Sequence, residues 1–172
     1  MARLLGAVLA GGAASRFGSD KALADAGGLA LIDRVIAALA PQCAALVIVG
    51  RAHGNWPALS DRPAGALGPL AGLNAALHHA ATAGCDAVLC APCDVLGLPP
   101  DLAQRLAAGP AVIADQPVVG LWPSALAERL DGWLAAGHRS VRGFAAAVGA
   151  CAVTLPVPLA NINAPDDLAR WL

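Results

Sequence analysis

Apolar and polar positions along this chain follow two different periods. Leu4 to Leu9, Ala45 to Val49 and Ala87 to Ala91 are short unbroken apolar runs closed by glycine, proline or a charged residue. Runs of that length read as strands buried on both faces. Between them, Leu31, Ile32, Val35, Ile36 and Leu39 recur at helical spacing, and Pro41 stops that helix. Gly68-Pro69 opens a second helix, with proline suited to its first turn, which runs to about Thr82 and ends at Gly84. Pro99-Pro100-Asp101 starts a third, and Gly109-Pro110 ends it. The remainder predicts short strands at Ala111 to Ala114 and Val118 to Leu121, helices at Ser124 to Ala135 and Val141 to Val148, a late strand at Ala152 to Leu155, and a terminal helix from Pro165 to Leu172. Arg51 to Gly68 is irregular, apart from a short extended piece at Ala58 to Ser60 that delivers Asp61.

Strands alternating with helices imply an α/β domain whose mostly parallel sheet is covered on both faces. With no linker or internal repeat, residues 1–172 read as one domain, a length that buries a substantial core. In such folds ligands sit beyond the carboxyl ends of the strands. That rule collects the Gly11 to Lys21 loop, Asp61, Gly68 and Asp94 on one edge.

Composition narrows the field. The chain is 58% hydrophobic and 13% charged, which excludes disorder. A net charge of −1 and the absence of tyrosine leave no basic or stacking footprint for nucleic acid. The Met1 to Ser15 stretch imitates a secretory signal, but cleavage there would strip the following loop of its strand. The uncharged run from Pro63 to Cys85 carries glycines, prolines, Asn74, His78 and His79, unlike a membrane span. A cytoplasmic protein without membrane contact is the expectation. Five scattered cysteines do not form a disulfide framework.

The densest chemistry lies in AVLAGGAASRFGSDKAL, Ala7 to Leu23. Glycines after a strand let backbone approach a ligand and turn N–H groups toward an anion. Arg16 and Lys21, the latter the only lysine in the chain, put positive charge beside that cradle. The alternative is a polar turn with one solvated lysine. The spacing fits neither the P-loop, since Lys21 follows Asp20, nor the dinucleotide fingerprint. Asp94, just past a buried strand, suits a Mg²⁺ shared with nucleotide phosphates, or else caps the following turn. Asp61 has the same choice between ligand and Asx turn. Gly68 to Gly72 (GPLAG) brings a helix N-terminus near a ligand or is an ordinary helix start. Asn161 and Asn163 read a polar ligand, or Asn163 caps the terminal helix. Cys90 and Cys93 have thiol-redox spacing, but Cys90 lies inside a strand rather than at a helix N-terminus. The four histidines form no metal or triad pattern.

Five blocks in order resemble the molybdenum cofactor guanylyltransferases, the MobA family of nucleotidyltransferases. They are LAGGAASRFGSDKAL at Leu9, Asp61 followed by GPLAG at Gly68, PCDVLGLPPDLAQRL at Pro92, GHRSVRGF at Gly137, and NINAPDDLARW at Asn161. The resemblance implies a Rossmann-like, three-layer α/β/α domain similar to the nucleotide-diphospho-sugar transferases. It implies GTP and Mg²⁺, with a terminal phosphate of molybdopterin attacking the α-phosphorus of GTP and pyrophosphate leaving. Carried over by position, Leu9, Ala10, Gly11 and Gly12 would hold the nucleotide, with Asp61 and Gly68. Arg16, Lys21 and Asp94 would form the catalytic set, Asp94 binding the metal, while Asn161 and Asn163 would face the pterin. An upstream molybdenum-insertion protein and acceptor molybdoenzymes are the partners it implies. Some relatives carry asparagine where this chain has Gly50, which leaves GTP against CTP open, and the Ile113 to Trp122 segment looks short. A nucleotidyltransferase with another base or acceptor, and a non-catalytic nucleotide binder, are the competing readings.

Overall fold

A computed structural model describes residues 1–12, 20–65, 67–107 and 109–172. The apolar runs form the parallel core of a sheet: β1 (Leu4–Leu9), β2 (Ala45–Val49), β3 (Ala58–Leu59) and β4 (Ala87–Pro92). The stretch that imitates a signal sequence is thus the strand lying between β2 and β4, hydrogen-bonded to both. Side chains alternate between faces. Leu5, Ala7, Val47, Val49, Val88 and Cys90 pack on one face, against α2 (Pro69–Thr82). Val8, Leu46, Ile48, Leu89 and Ala91 pack on the other, against α1 (Leu31–Leu39). Period-two alternation with both faces apolar is why these strands read as unbroken hydrophobic runs.

The full sheet has seven strands in the order β3-β2-β1-β4-β7-β6-β8, adding β6 (Ala111–Ile113), β7 (Gln116–Pro123) and β8 (Cys151–Val153). Only β7 runs against the rest, antiparallel to both β4 and β6. The cause is local: Ala114-Asp115 is all that joins β6 to β7, and so short a link permits only an antiparallel return. The predicted strand at Val118 to Leu121 is therefore the middle of an eight-residue strand. Fully buried Trp122, in β7, packs on Phe144 of α5 (Val141–Ala147) beside α4 (Ala127–Ala135).

The helix expected after Pro99-Pro100-Asp101 shrinks to α3 (Leu102–Arg105), and the late strand starts one residue early, at Cys151. A second, two-stranded sheet pairs β5 (Val95–Leu96) with β9 (Ala160–Asn161). Two-residue strands carry no periodic signal, so the sequence gives no sign of it. It ties the chain just after Asp94 to the segment that precedes α6 (Pro165–Trp171). No helix among the described residues is long and apolar enough to cross a membrane.

Candidate active site

The chain leaves β1 through α1 on one face to reach β2. It later crosses the opposite face through α2 to enter β4 on the other side of β1. A crevice opens at the carboxyl ends where connections diverge in this way. A cavity of about 510 Å³ lies there. Leu9, Ala10, Gly11 and Gly12 line it from the end of β1, and Pro92, Cys93 and Asp94 from the end of β4. Gly68, Pro69 and Gly72 contribute from the start of α2, Asp61 from the loop before it, and Asp20 with Lys21 from a short 3₁₀ turn at Lys21–Leu23.

Two backbone hydrogen bonds fix the β1 rim. The Ala10 N–H donates to the Val49 carbonyl at 2.8 Å, and the Cys93 N–H to the Leu9 carbonyl at 2.9 Å. The Ala10 N–H is therefore committed to the sheet. The N–H groups of Gly11 and Gly12 donate to no backbone carbonyl among the described residues. Gly50 has φ +95°, and a Cβ there would lie 2.4 Å from the Gly11 Cα. Only glycine suits that conformation and that contact. The position where some relatives carry asparagine is here closed to any side chain by the backbone of Gly11. A Cβ on Gly72 would meet the Leu9 side chain at 3.1 Å and lie 3.4 Å from Oδ1 of Asp61, a milder constraint than at Gly50.

At the floor, Lys21 Nζ donates to Asp94 Oδ2 at 2.7 Å and to Asn163 Oδ1 at 3.3 Å. Asp94 is held from behind because its carbonyl accepts the Ile162 N–H at 2.9 Å, so β9 carries Asn163 to the lysine. Asn163 does not cap α6. Ala164 occupies the cap position, and the Asp167 carboxylate accepts the N–H groups of both Asn163 and Ala164, each at 2.9 Å. The side chain of Asn163 is thereby left for Lys21. Asn161 is exposed in β9, where it pairs with Val95. Arg16 lies outside the described residues.

Arg51 also lines the cavity, and nothing in the sequence reading marked it. Its Nη1 donates to Asp20 Oδ1 at 2.7 Å, and that guanidinium holds the Asp20 carboxyl below its ordinary range. Asp20 Oδ1 also accepts the Ala22 N–H and so caps the turn carrying Lys21. Arg51 follows Gly50 at the carboxyl end of β2, so the strand-end rule that selected Asp94 points to it as well. Asp61 stands in contrast: among the described residues it has no hydrogen-bond partner, and burial pushes its carboxyl pKa up.

Cys90 and Cys93 behave as packing. Burial pushes the Cys90 thiol up to about 12. Burial, aided by the Asp94 charge, pushes Cys93 up to about 11. Neither is a ready thiolate, so the redox reading has no support here. Two histidines form pairs that the sequence did not reveal: His53 with Asp33 at 2.6 Å, and His78 with Asp131 at 2.9 Å.

Comparison with known proteins agrees with this geometry. A family profile described as MobA-like NTP transferase domain matches residues 6–150. Over 98% of its length the chain is 43% identical to a molybdenum cofactor guanylyltransferase of Cereibacter sphaeroides, spanning 95% of that protein. It is 41% identical to the Rhodobacter capsulatus protein of the same name, with 98% and 94% covered. Its fold is that of molybdopterin-guanine dinucleotide biosynthesis protein A from Archaeoglobus fulgidus, with a TM-score of 0.76, 24% identity, and 96% and 95% of the two chains covered. The architecture is thus the three-layer α/β type used by nucleotidyltransferases. Within that class, the chain belongs to the MobA-like NTP transferase family.

Proposed function

We propose that this protein transfers GMP from GTP to the terminal phosphate of molybdopterin, giving molybdopterin guanine dinucleotide and pyrophosphate. The observation that supports it best is the pairing of Lys21 with Asp94 in a cavity walled by Gly11, Gly12 and Gly72, with Asn163 reaching the same lysine from the terminal segment. One compact cation there faces a glycine-built wall on the nucleotide side and an amide from the terminal segment on the other.

An oxygen of the acceptor phosphate forms a bond to the α-phosphorus while the bond from that phosphorus to the pyrophosphate oxygen breaks. Such transfers need positioning and charge stabilisation rather than a protein nucleophile. Bare glycines at 11, 12 and 72 let phosphates and base approach backbone. Lys21, with Arg16 and Arg51, offsets the negative charge that grows on the leaving pyrophosphate. The Lys21 ammonium is shared between a carboxylate and an amide, so it can reach toward a phosphate while keeping one partner. Asn161 and Asn163 are the pterin-side residues of this reading.

A magnesium ion fits the donor set. Among the described residues no cluster of three or more His, Cys, Asp or Glu side chains forms a cage. Mg²⁺ with substrate phosphates needs only one or two carboxylates and keeps water. Asp94 would hold it, and the ion would supply neutralisation of the phosphate oxygens. The reading also takes the reaction to be cytoplasmic. An upstream molybdenum-insertion protein would supply the acceptor, and molybdoenzymes would receive the product.

The test is product analysis by mass spectrometry, with the protein, Mg²⁺, molybdenum-loaded molybdopterin and equimolar GTP, CTP and ATP. Guanine dinucleotide with released pyrophosphate is the expected product. A cytosine dinucleotide would keep the chemistry and overturn the base. Bound nucleotide with no dinucleotide would overturn the transfer.

A further inference from the structure

Asn74 is a fully buried polar residue in the second turn of α2. A buried amide is costly unless its groups find partners. Its Nδ2 donates both hydrogens, one to the Arg62 carbonyl at 3.1 Å and one to Asp131 Oδ1 at 2.6 Å, while its Oδ1 has no partner among the described residues. One turn earlier in α2, the Ala71 carbonyl accepts the Arg62 N–H at 3.0 Å. Both peptide units flanking the Arg62 Cα are therefore docked on the same helix. The first of those units is the one that leaves Asp61.

From these contacts we infer that Asn74 and Asp131 are positioning residues, which hold Asp61 in the cavity wall by clamping the backbone that follows it. The inference rests on the reading of the cavity as the nucleotide site. Asp61 needs such a hold because its own carboxylate is anchored to nothing among the described residues. It rests over Gly72 and Gly11. The aim of an unanchored side chain is set by its backbone. That backbone lies in an irregular loop, where no sheet or helix ladder fixes it. Asp131, on α4, completes the clamp. It takes the Asn74 amide on Oδ1 and the His78 ring on Oδ2, and so orients the asparagine from the side away from the loop. Arg62 Nε reaches the same Oδ1 at 3.4 Å, a weaker contact. If Asn74 served only to join α2 to α4, its bond to Asp131 would suffice and the Arg62 carbonyl would not be engaged.

The test is the affinity for GTP, by titration calorimetry, in folded variants matched by their melting temperatures. Asn74→Ala is expected to weaken GTP about tenfold, because small displacements of a binding group carry large costs. Asp61→Ala is expected to weaken it as well. In the Asp61→Ala background, Asn74→Ala is expected to change affinity by less than about twofold, since a residue acting only through Asp61 has nothing left to act on. Asp131→Ala should match Asn74→Ala, whereas Asp131→Asn retains an oxygen for the amide and should stay within about twofold of the wild type. The Asp131 pair carries the test if Asn74→Ala does not fold. Full affinity in Asn74→Ala or Asp131→Ala would overturn the inference, as would equal losses with and without Asp61. Failure of the wild type to bind GTP would instead overturn the nucleotide reading of the cavity, and the clamp with it.

Discussion

The sheet has two halves that do different work. In β3-β2-β1-β4 every strand is parallel, the connecting helices lie on opposite faces, and the carboxyl ends diverge into a cavity. Among the described residues, those lining that cavity fall between Leu9 and Asp94. In β7-β6-β8 one strand is reversed and the buried space is filled by Trp122 and Phe144, with Trp133 half-buried against them. Beyond that half, the terminal segment returns to the cavity's edge and brings Asn163 to Lys21. The difference follows from topology. Parallel crossovers put strand ends, and whatever follows them, on one edge, whereas a hairpin returns the chain and closes that edge.

Substitutions on the two sides should therefore fail in different ways. Asp94→Ala and Lys21→Ala should lower turnover by roughly two to three orders of magnitude with the fold intact, by steady-state pyrophosphate release and circular dichroism. Trp122→Ala should instead cost about 3–5 kcal/mol of stability in chemical denaturation. Its turnover at low temperature should stay close to wild type. Equal damage to turnover from both kinds of variant would erase the distinction between the halves.

Gly50→Ala sharpens the comparison from inside the parallel half. A Cβ at φ +95° and 2.4 Å from the Gly11 Cα forces two strand ends apart. A loss of about 2 kcal/mol or more is expected, together with weaker GTP binding, because the contact is with the cavity wall itself.

Smaller and opposite in sign is Asp61→Asn. Burial raises the Asp61 pKa in the folded state, so its folded form favours the proton. The stability tied to that carboxyl is present below its unfolded value near about 4 and is lost as pH rises through the folded value. The asparagine variant should thus melt higher than wild type at neutral pH, the gap closing in acid, while binding GTP less well. A lower melting temperature at neutral pH would show that Asp61 is stabilised by contacts rather than held at a cost. Least perturbing is thiol labelling at pH 8: exposed Cys151 should react first, with Cys90 and Cys93 slow because their thiols stay protonated.

Much of the parallel half was legible in the sequence. Buried parallel strands are continuous apolar runs, and the residues after them fall on one edge, so Gly11, Gly12, Lys21, Asp61, Gly68 and Asp94 could be gathered without coordinates. Arg51 obeys the same rule, but its loop carries no motif to single it out. Other features depend on contacts far apart in the chain. The pairing of β5 with β9, the bond of Asn163 to Lys21, and the contacts of Asp131 with Asn74 and Arg62 join residues separated by dozens of positions, and Asn74 meets Arg62 across an irregular loop. No local period encodes them. The strand at Gln116–Pro123 was cut short because Gln116, Pro117 and Pro123 carry weak strand propensity, which pairing with β4 and β6 overrides.

Whether nucleotide occupies the edge between Leu9 and Asp94 is tested most directly by a crystal structure of the protein soaked with GTP. The triphosphate should lie beside Lys21 and Arg51, the nucleoside against Gly11 and Gly72, and Asp61 in contact with it. GTP seated at the β7-β6-β8 end, with Lys21 still closed on Asp94, would contradict it.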